Sequence, residues 1–207
     1  MQGEFLQNLQ RPRIDARLQE LRERAKTGLD PAAPDETLNF LLALARLKNP
    51  QRILEIGSAE GLTSIALLSE CPAARAVAIE QDEARFAAAK ENFARFGVAE
   101  RASLVLGDAA DVLPSLEGQF ELIFLDGPKA QYVHYLPQLK RLLPSGGALV
   151  ADDVLLYGWV SGEVPPPPKR RSIAARLREY LDAVCSDPDF ITSVFELGEG
   201  VALSVKR

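Results

Sequence analysis

Ile53-Leu54-Glu55-Ile56-Gly57-Ser58-Ala59-Glu60-Gly61 is the stretch that decides the fold of this 207-residue chain. An apolar strand runs into a turn with glycines at both ends, and a helical pattern follows the turn. Such a turn is typical of the ligand-binding edge of an open parallel sheet. Its spacing is Gly-x-x-x-Gly instead of the Gly-x-Gly-x-x-Gly of dinucleotide binders, and Glu60 puts an anion where a pyrophosphate would lie. The turn therefore favours a bulky cationic ligand.

Around this stretch, short apolar runs alternate with segments of helical spacing. The pattern predicts strands at Arg52–Ile56, Ala76–Glu80, Ser103–Leu106, Phe120–Leu125 and Gly147–Ala151. It predicts helices at Leu62–Glu70, Asp82–Phe96, Ala109–Leu116 and Ala130–Leu143. This alternation is typical of an α/β, Rossmann-like parallel sheet with helices on both faces.

The two ends of the chain add to this core. Residues 12–27 and 35–48 have helical spacing, the first helix ending at Gly28, so residues 1–48 are predicted to form a helical N-terminal extension. After Pro165–Pro168, a helix is predicted at Ser172–Cys185, followed by a hairpin of Phe190–Leu197 and Val201–Lys206. The hairpin makes a seven-stranded, mostly parallel sheet, and we expect one domain spanning residues 1–207.

The composition excludes several classes of protein. Hydrophobic residues make up 47% and charged residues 26%, which is typical of a globular domain, and no apolar run approaches the length of a membrane span. Residues Met1–Glu4 lack the basic start of a signal peptide, and Cys71 and Cys185 form no CxxC pattern. We therefore expect a cytoplasmic protein. The net charge of −5 argues against nonspecific binding of nucleic acid, so basic residues must be assessed locally.

Acidic residues end three neighbouring predicted strands, where a cofactor would bind. Glu55 is placed to attract an ammonium group, and Glu80, 23 residues after Gly57, is placed to bind ribose hydroxyls. Asp108 and Ala109 are placed to hold an adenine edge. An acid in such a position is often only a helix cap, which is the alternative for Asp108. Together the three strand ends predict a site for S-adenosylmethionine.

Two further strands deliver Asp126 and the pair Asp152-Asp153 to the same edge of the sheet. Adjacent carboxylates repel each other and resist desolvation, and a hard divalent cation such as Mg²⁺ would resolve that conflict. The sequence therefore predicts a Mg²⁺ site. The alternative is that Asp126 caps a helix with Pro128 in its first turn, while Asp152-Asp153 start a solvated loop.

These motifs resemble those of the cation-dependent O-methyltransferase family, which includes catechol and caffeoyl-CoA O-methyltransferases. The resemblance covers nearly the whole chain and rests on the glycine turn, on Asp126 with Lys129, and on Asp152-Asp153-Val154-Leu155. It implies a class I methyltransferase fold, a homodimer, and the following site residues: Asp126 and Lys129 in catalysis; Asp126, Asp152 and Asp153 on the metal; Ala33, Glu55, Gly57, Ser58, Thr63, Glu80, Asp108, Ala109 and Asp126 on the cofactor. The family usually has Asn where this chain has Asp153, and bulkier or acidic residues in place of Gly127-Pro128.

Within that family the chain is most similar to bacterial tRNA 5-hydroxyuridine methyltransferases. The similarity lies in Lys129-Ala130-Gln131-Tyr132, in Lys169-Arg170-Arg171, in Leu197–Ser204 and in Arg11-Pro12-Arg13. It implies methyl transfer to the 5-hydroxyl of a wobble uridine, giving 5-methoxyuridine, with the tRNA anticodon loop as partner. Cations just before a helix start oppose the helix dipole, so Lys169, Arg170 and Arg171 favour a phosphate partner, and Arg176 and Arg178 extend the patch.

Other interpretations remain open at this point. The basic run is also typical of a solvated face, and Tyr132, Tyr157 and Trp159 are candidates either for base stacking or for ordinary packing. His134, the only histidine, is interpreted as structural. A small-molecule phenol or catechol is the alternative acceptor, and a non-catalytic module that binds S-adenosylmethionine or RNA is the alternative to an enzyme.

Overall fold

The glycine turn follows the central strand of a seven-stranded sheet. The computed structural model describes Phe5 and residues 8–26 and 32–207, so the predicted helix end at Gly28 and residues Met1–Glu4 lie outside the described residues. The strands are β1 (Arg52–Ile56), β2 (Arg75–Glu80), β3 (Ala102–Leu106), β4 (Leu122–Leu125), β5 (Ala148–Ala151), β6 (Phe190–Phe195) and β7 (Val201–Lys206). Their order in the sheet is β3-β2-β1-β4-β5-β7-β6.

The first five strands are parallel, and β7 pairs antiparallel with both β5 and β6. The predicted seven-stranded, mostly parallel sheet is therefore confirmed. The helices are α1 (Ala16–Ala25), α2 (Asp35–Lys48), α3 (Leu62–Glu70), α4 (Glu83–Arg95), α5 (Ala109–Val112), α6 (Tyr132–Leu142) and α7 (Arg171–Ser186). No helix among the described residues is long and apolar enough to cross a bilayer.

Two apolar layers cover the sheet because alternate residues of its buried strands point to opposite faces. One layer joins Leu54 and Ile123 to residues of α6 and α7, including Leu139 and Leu177. The other joins Ile53 and Phe124 to buried residues of α1, α2 and α3: Leu18, Leu38, Leu41 and Ile65. The described part of the N-terminal extension is thus helical and contributes to the core. That residues 1–207 form one domain stays a prediction.

The predicted boundaries differ from the observed ones at α1 and beside three 3₁₀ turns. The helix predicted from residue 12 begins at Ala16, where the Asp15 side chain caps it by accepting from the Arg17 amide. The predicted helix Ala109–Leu116 is α5 followed by a 3₁₀ turn at Leu113–Ser115, where Pro114 has no N–H to continue the helix. The helix predicted from Ala130 begins with a 3₁₀ turn at Lys129–Gln131, and β4 is two residues shorter than predicted. A third 3₁₀ turn, Pro168–Arg170, leads into α7. None of these changes moves the carboxyl ends of the strands.

Candidate active site

The turn after β1 requires glycine for steric reasons. Gly57 has a φ of +83°, and a Cβ atom there would lie 2.4 Å from the carbonyl oxygen of Asp126. Gly61 has a φ of +75°, and a Cβ atom there would lie 2.4 Å from the Phe93 ring. Only glycine accepts this conformation with so close an approach of neighbouring chain. The turn therefore brings the end of β1 against the end of β4, and two cavities open on either side of it.

The first cavity has a volume of about 390 Å³ and contains most of the residues predicted for the methionine end of the cofactor. Those residues are Ala33, Glu55, Gly57, Ser58, Thr63 and Asp126. Ala59 and Glu60 of the predicted ligand-binding turn also line it. Its other lining residues were not predicted: Leu21, Arg24 and Ala25 of α1, with Ala32, Leu62 and Arg85. Helical spacing predicts α1 but does not say that this helix closes a cavity. The carbonyl of Ala33 accepts a hydrogen bond from Arg22 at 2.7 Å.

The second cavity, of about 410 Å³, lies beside the ends of β2, β3 and β4. Glu80, Ala109 and Lys129 line it as predicted, together with Gln81 and Tyr135, which sequence reasoning missed. Residues that line both cavities mark where they meet: Gly57, Ala59, Arg85 and Asp126. An elongated ligand that occupies both cavities would therefore pass beside Asp126.

Asp108 differs from the other predicted cofactor residues. Its carboxylate caps α5 by accepting a hydrogen bond from the Ala110 amide at 2.8 Å, and the Tyr135 hydroxyl lies 3.4 Å from it. It is not among the residues that line either cavity. The helix-cap alternative therefore describes what this side chain does in the structure, and its adenine contact stays a prediction.

Glu55 and Glu80 are both buried, and the fold holds them in different ways. Burial raises the pKa of Glu55 to about 8, against the hydrogen bond that the Ser64 hydroxyl donates to it, and the charge of Asp126 raises the pKa further. Glu80 accepts hydrogen bonds from the backbone amides of Ala59 at 2.7 Å and Asp82 at 2.8 Å. These two bonds fix the carboxylate of Glu80 toward the second cavity.

The predicted acidic edge is assembled around Lys129. The Lys129 ammonium lies 2.5 Å from Asp126 Oδ1 and 3.0 Å from Asp153 Oδ2. Burial alone would lower the pKa of Lys129, but Asp126, Tyr132 and Asp153 raise it well above the ordinary value. Asp152 is almost wholly buried, and burial followed by the charges of Asp126 and Asp153 raises its pKa to about 8. Lys129 is therefore an ammonium within a group of carboxylates.

The donor chemistry of this edge fits a hard divalent cation, because three carboxylates supply oxygen ligands. Within the described part of the chain, however, no three acidic, histidine or cysteine side chains are arranged as a metal site. The Lys129 ammonium lies between Asp126 and Asp153 and pairs with both. The residue types thus fit Mg²⁺, and the metal stays a prediction.

The loop that carries Asp152 and Asp153 is held by the turn between β6 and β7. The amides of Leu155 and Leu156 both donate to the carbonyl of Glu199, at 2.9 and 3.0 Å. The Tyr157 amide donates to the Glu199 side chain at 2.5 Å. Three residues of this loop have positive φ angles without being glycine: Asp153, Leu156 and Tyr157. The loop therefore depends on the β6–β7 turn for its conformation.

The basic residues predicted to bind RNA lie on the protein surface. Lys169, Arg170 and Arg171 are exposed, and none of them forms an ion pair with another described residue. Arg170 also lines the second cavity. The two arginines predicted to extend the basic patch have partners within the protein: Arg176 forms an ion pair with Glu179, and Arg178 donates a hydrogen bond to the Val160 carbonyl.

The aromatic candidates for stacking differ in exposure. Tyr132 is wholly buried, so the stacking interpretation is wrong for this residue and the packing alternative is confirmed. Tyr157 is 59% exposed, and its ring centroid lies 5.0 Å from that of Trp159, so this pair keeps both interpretations open. His134 is exposed on α6.

Comparisons with known proteins agree with this arrangement. A family model described as O-methyltransferase matches residues 13–207. Catechol O-methyltransferase from Niastella koreensis is 33% identical over 175 residues, which cover 81% of this chain and 79% of that protein. Catechol O-methyltransferase from Mycobacterium tuberculosis is 36% identical over 126 residues, 60% of this chain and 57% of that protein.

Solved structures show the same fold. The O-methyltransferase TomG from Streptomyces achromogenes, in complex with SAM, superposes with a TM-score of 0.82 at 26% identity, covering 94% of this chain and 91% of TomG. The SAH-bound methyltransferase PaMTH1 from Podospora anserina superposes with a TM-score of 0.89 at 24% identity, over 100% of this chain and 94% of PaMTH1. At 24% identity, the similarity to PaMTH1 shows a shared fold only.

Proposed function

The chain belongs to the O-methyltransferase family, and from that membership we propose that this S-adenosylmethionine-dependent enzyme methylates one hydroxyl of a small catechol-like phenol. The observation that carries the proposal is the acidic group around Lys129: Asp126 lines both cavities, Lys129 lines the second, and Asp153 pairs with Lys129. Acceptor hydroxyls bound at this group would lie beside the middle of an elongated cofactor. The names of the catechol O-methyltransferase relatives support the same acceptor class.

The proposed cofactor position follows from the lining of the two cavities. The methionine end would lie in the first cavity, with its ammonium group near Glu55 and its carboxylate end near Thr63. The adenosine end would lie in the second cavity, where Glu80 accepts hydrogen bonds from the ribose hydroxyls and Ala109 contacts the adenine. The sulfonium would then lie near Asp126, which lines both cavities.

In the proposed reaction, the acceptor hydroxyl gives up its proton to solvent water, and its oxygen forms a bond to the methyl carbon while the carbon–sulfur bond breaks, leaving S-adenosylhomocysteine. A divalent cation held by Asp126, Asp152 and Asp153 would supply Lewis acidity that lowers the acceptor hydroxyl's pKa. Asp126 and Asp153 help to raise the pKa of Lys129, so this residue stays positively charged; it stabilises the developing oxyanion through its charge and does not act as a base.

The first test is a methyl-transfer assay with catechol, labelled S-adenosylmethionine and Mg²⁺. We expect monomethylated catechol, and we expect a chelator to lower the rate by at least about 10²-fold because the Lewis acid is lost. Added Mg²⁺ should restore the rate. Absence of any transfer to catechol would contradict the proposed acceptor class, and a rate unaffected by the chelator would contradict the metal.

A second candidate acceptor is tRNA carrying 5-hydroxyuridine. The specific observation in its favour is the exposed run Lys169-Arg170-Arg171, whose three cations form no ion pair with other described residues. Unpaired cations at the start of α7 oppose the helix dipole, and phosphate groups would compensate for them. Arg170 would connect this surface to the second cavity.

Changing Lys169, Arg170 and Arg171 together to Ala tests the second candidate. If tRNA is the acceptor, we expect KM for tRNA to rise at least about tenfold, because each lost phosphate contact weakens binding. The double variant Lys169→Ala/Arg171→Ala keeps the cavity residue Arg170, so it should raise KM for tRNA without changing KM for S-adenosylmethionine. A control with the same loss of charge replaces the exposed residues Arg75, Lys90 and Arg95 by Ala. Equal KM values in the two triple variants, or no methylation of the tRNA, would exclude this acceptor.

A further inference from the structure

Tyr132, the first residue of α6, places a hydroxyl inside the protein against the catalytic group. The ring is wholly buried. Its hydroxyl oxygen lies 3.0 Å from Lys129 Nζ, 3.0 Å from the carbonyl oxygen of Leu125 and 3.2 Å from that of Asp152. Leu125 ends β4 and Asp152 follows β5, so one hydroxyl contacts the two strands that deliver the acidic residues.

The chemistry of these partners fixes the direction of each hydrogen bond. A tyrosine hydroxyl has a single proton, and carbonyl oxygens can only accept. The Tyr132 proton therefore goes to the carbonyl of Leu125 or Asp152, and a lone pair of the hydroxyl oxygen faces Lys129. The ammonium then has one acceptor for each of its three protons: Tyr132, Asp126 and Asp153.

We propose that Tyr132 is a positioning residue that holds the Lys129 ammonium at the point where the acceptor oxygen reacts. Asp126 and Asp153 lie on connecting segments, whereas the Tyr132 hydroxyl is tied to the backbone at the ends of two central strands. The hydroxyl thus gives Lys129 a rigid reference in the sheet. The inference rests on the proposed function, because it assigns Lys129 to the methyl acceptor.

The structure provides a matched control in Tyr180 of α7. Its ring is also wholly buried and packs edge to face on Tyr132, with ring centroids 5.5 Å apart. Its hydroxyl, unlike that of Tyr132, has no hydrogen-bond partner among the described residues. Tyr132→Phe and Tyr180→Phe therefore remove the same atom from the same aromatic pair, and only the first removes a contact with Lys129.

With 3,4-dihydroxybenzoate as acceptor, we expect Tyr132→Phe to lower kcat by about 10²-fold, as for a small misplacement of a catalytic group. We also expect it to change the ratio of 3-O- to 4-O-methylated product, since the two hydroxyls are distinguished by their position at Lys129. Affinity for S-adenosylmethionine should stay the same. Tyr180→Phe should leave kcat and the product ratio unchanged. Equal behaviour of the two variants would overturn the inference.

A double variant separates action through Lys129 from a loss of stability. We expect Tyr132→Phe to cause no further fall in kcat when added to Lys129→Ala, because the group it positions is already gone. A further fall equal to that seen in the wild-type background would mean that Tyr132 acts independently of the lysine. We expect the loss of the hydroxyl to lower Tm by about 2–4 °C, so both proteins remain folded in the assay.

An activity-independent measurement keeps this inference distinct from the proposed function. In spectra of ¹⁵N-lysine-labelled protein, the Lys129 ammonium signal is identified by its absence in Lys129→Ala. We expect faster proton exchange of this signal in Tyr132→Phe and unchanged exchange in Tyr180→Phe. Unchanged exchange in both would overturn the positioning role, whatever acceptor the enzyme uses. Failure to methylate any catechol, with faster exchange in Tyr132→Phe, would instead count against the proposed function alone.

Discussion

Asp152→Asn is expected to lower kcat for methyl transfer by about 10²–10³-fold and, in the same protein, to raise Tm. The fall in kcat follows because the change removes one carboxylate from the proposed metal site while Asn keeps the shape and can still accept from the Asp153 amide. The rise in Tm follows because Asp152 is almost wholly buried beside Asp126 and Asp153. Such a site sacrifices stability for function.

The pH dependence of this stability has a defined sign. The pKa of Asp152 is raised to about 8 in the folded protein, first by burial and then by Asp126 and Asp153, against an ordinary value of 3.8. The folded state therefore binds this proton more tightly than the unfolded state does. The stability that Asp152 contributes is fully present below the ordinary pKa and is lost as pH rises through about 8.

Thermal unfolding with a chelator present measures this effect without any contribution from bound metal. Between pH 5 and 9, Tm of the wild type should fall relative to that of Asp152→Asn, and the gap should be largest at the alkaline end. Asp111→Asn, which changes an exposed carboxylate of α5, is the control and should follow the wild type. A variant that is less stable than the wild type at pH 9, or one that keeps full kcat, would refute the role given to Asp152.

Binding of S-adenosylmethionine is expected to tighten as pH rises toward 8 and to level off above it. Glu55 lines the first cavity, and burial raises its pKa to about 8, so below that pH the empty site holds a protonated carboxyl. An ammonium group beside it stabilises the carboxylate, so binding releases a proton. Glu55→Gln should weaken binding on the order of 10²-fold at pH 8, as expected when one partner of a buried charge pair is removed.

Calorimetric titration at pH 6, 7, 8 and 9 measures both the affinity and the proton release, because buffers with different ionisation enthalpies report the released proton as heat. In Glu55→Gln the proton release and the dependence on pH below 8 should both disappear. Glu60→Gln is the matched control, since Glu60 is exposed and lines the same cavity. Identical pH profiles for the wild type and Glu55→Gln would show that Glu55 does not face the ammonium.

Much of the fold was predictable because its signals are local. The central strand β1 has its predicted bounds, since Gly57 and the turn that follows end the strand where the sequence changes. The strand-end acids were predictable for a related reason: the carboxyl ends of parallel strands meet at one edge, so Asp126 and Asp152 had to approach each other. In the sheet, Leu125 of β4 lies opposite Ala151 of β5, so the residues that follow them, Asp126 and Asp152, leave the sheet side by side.

The remaining features depend on how distant elements pack, which no local pattern encodes. Leu21 and Arg24 close the first cavity because α1 lies over the end of β1, and helical spacing says nothing about that position. For Tyr132 the sequence left both base stacking and ordinary packing open, because an aromatic residue beside a motif suits either role. Its buried position, and its contact with Lys129, follow from α7 covering the start of α6 through Tyr180.

The order of strands also determines when the reaction centre can form during synthesis. β7 lies between β5 and β6 although it follows both in sequence, and Glu199 holds the loop that carries Asp152 and Asp153. Residues 199–206 follow β1 to β5 in sequence, so the ribosome releases them after those five strands. Until then the loop has no anchor. On the ribosome, the loop that carries Asp152 and Asp153 therefore gains its anchor only after the β6–β7 hairpin has been synthesised.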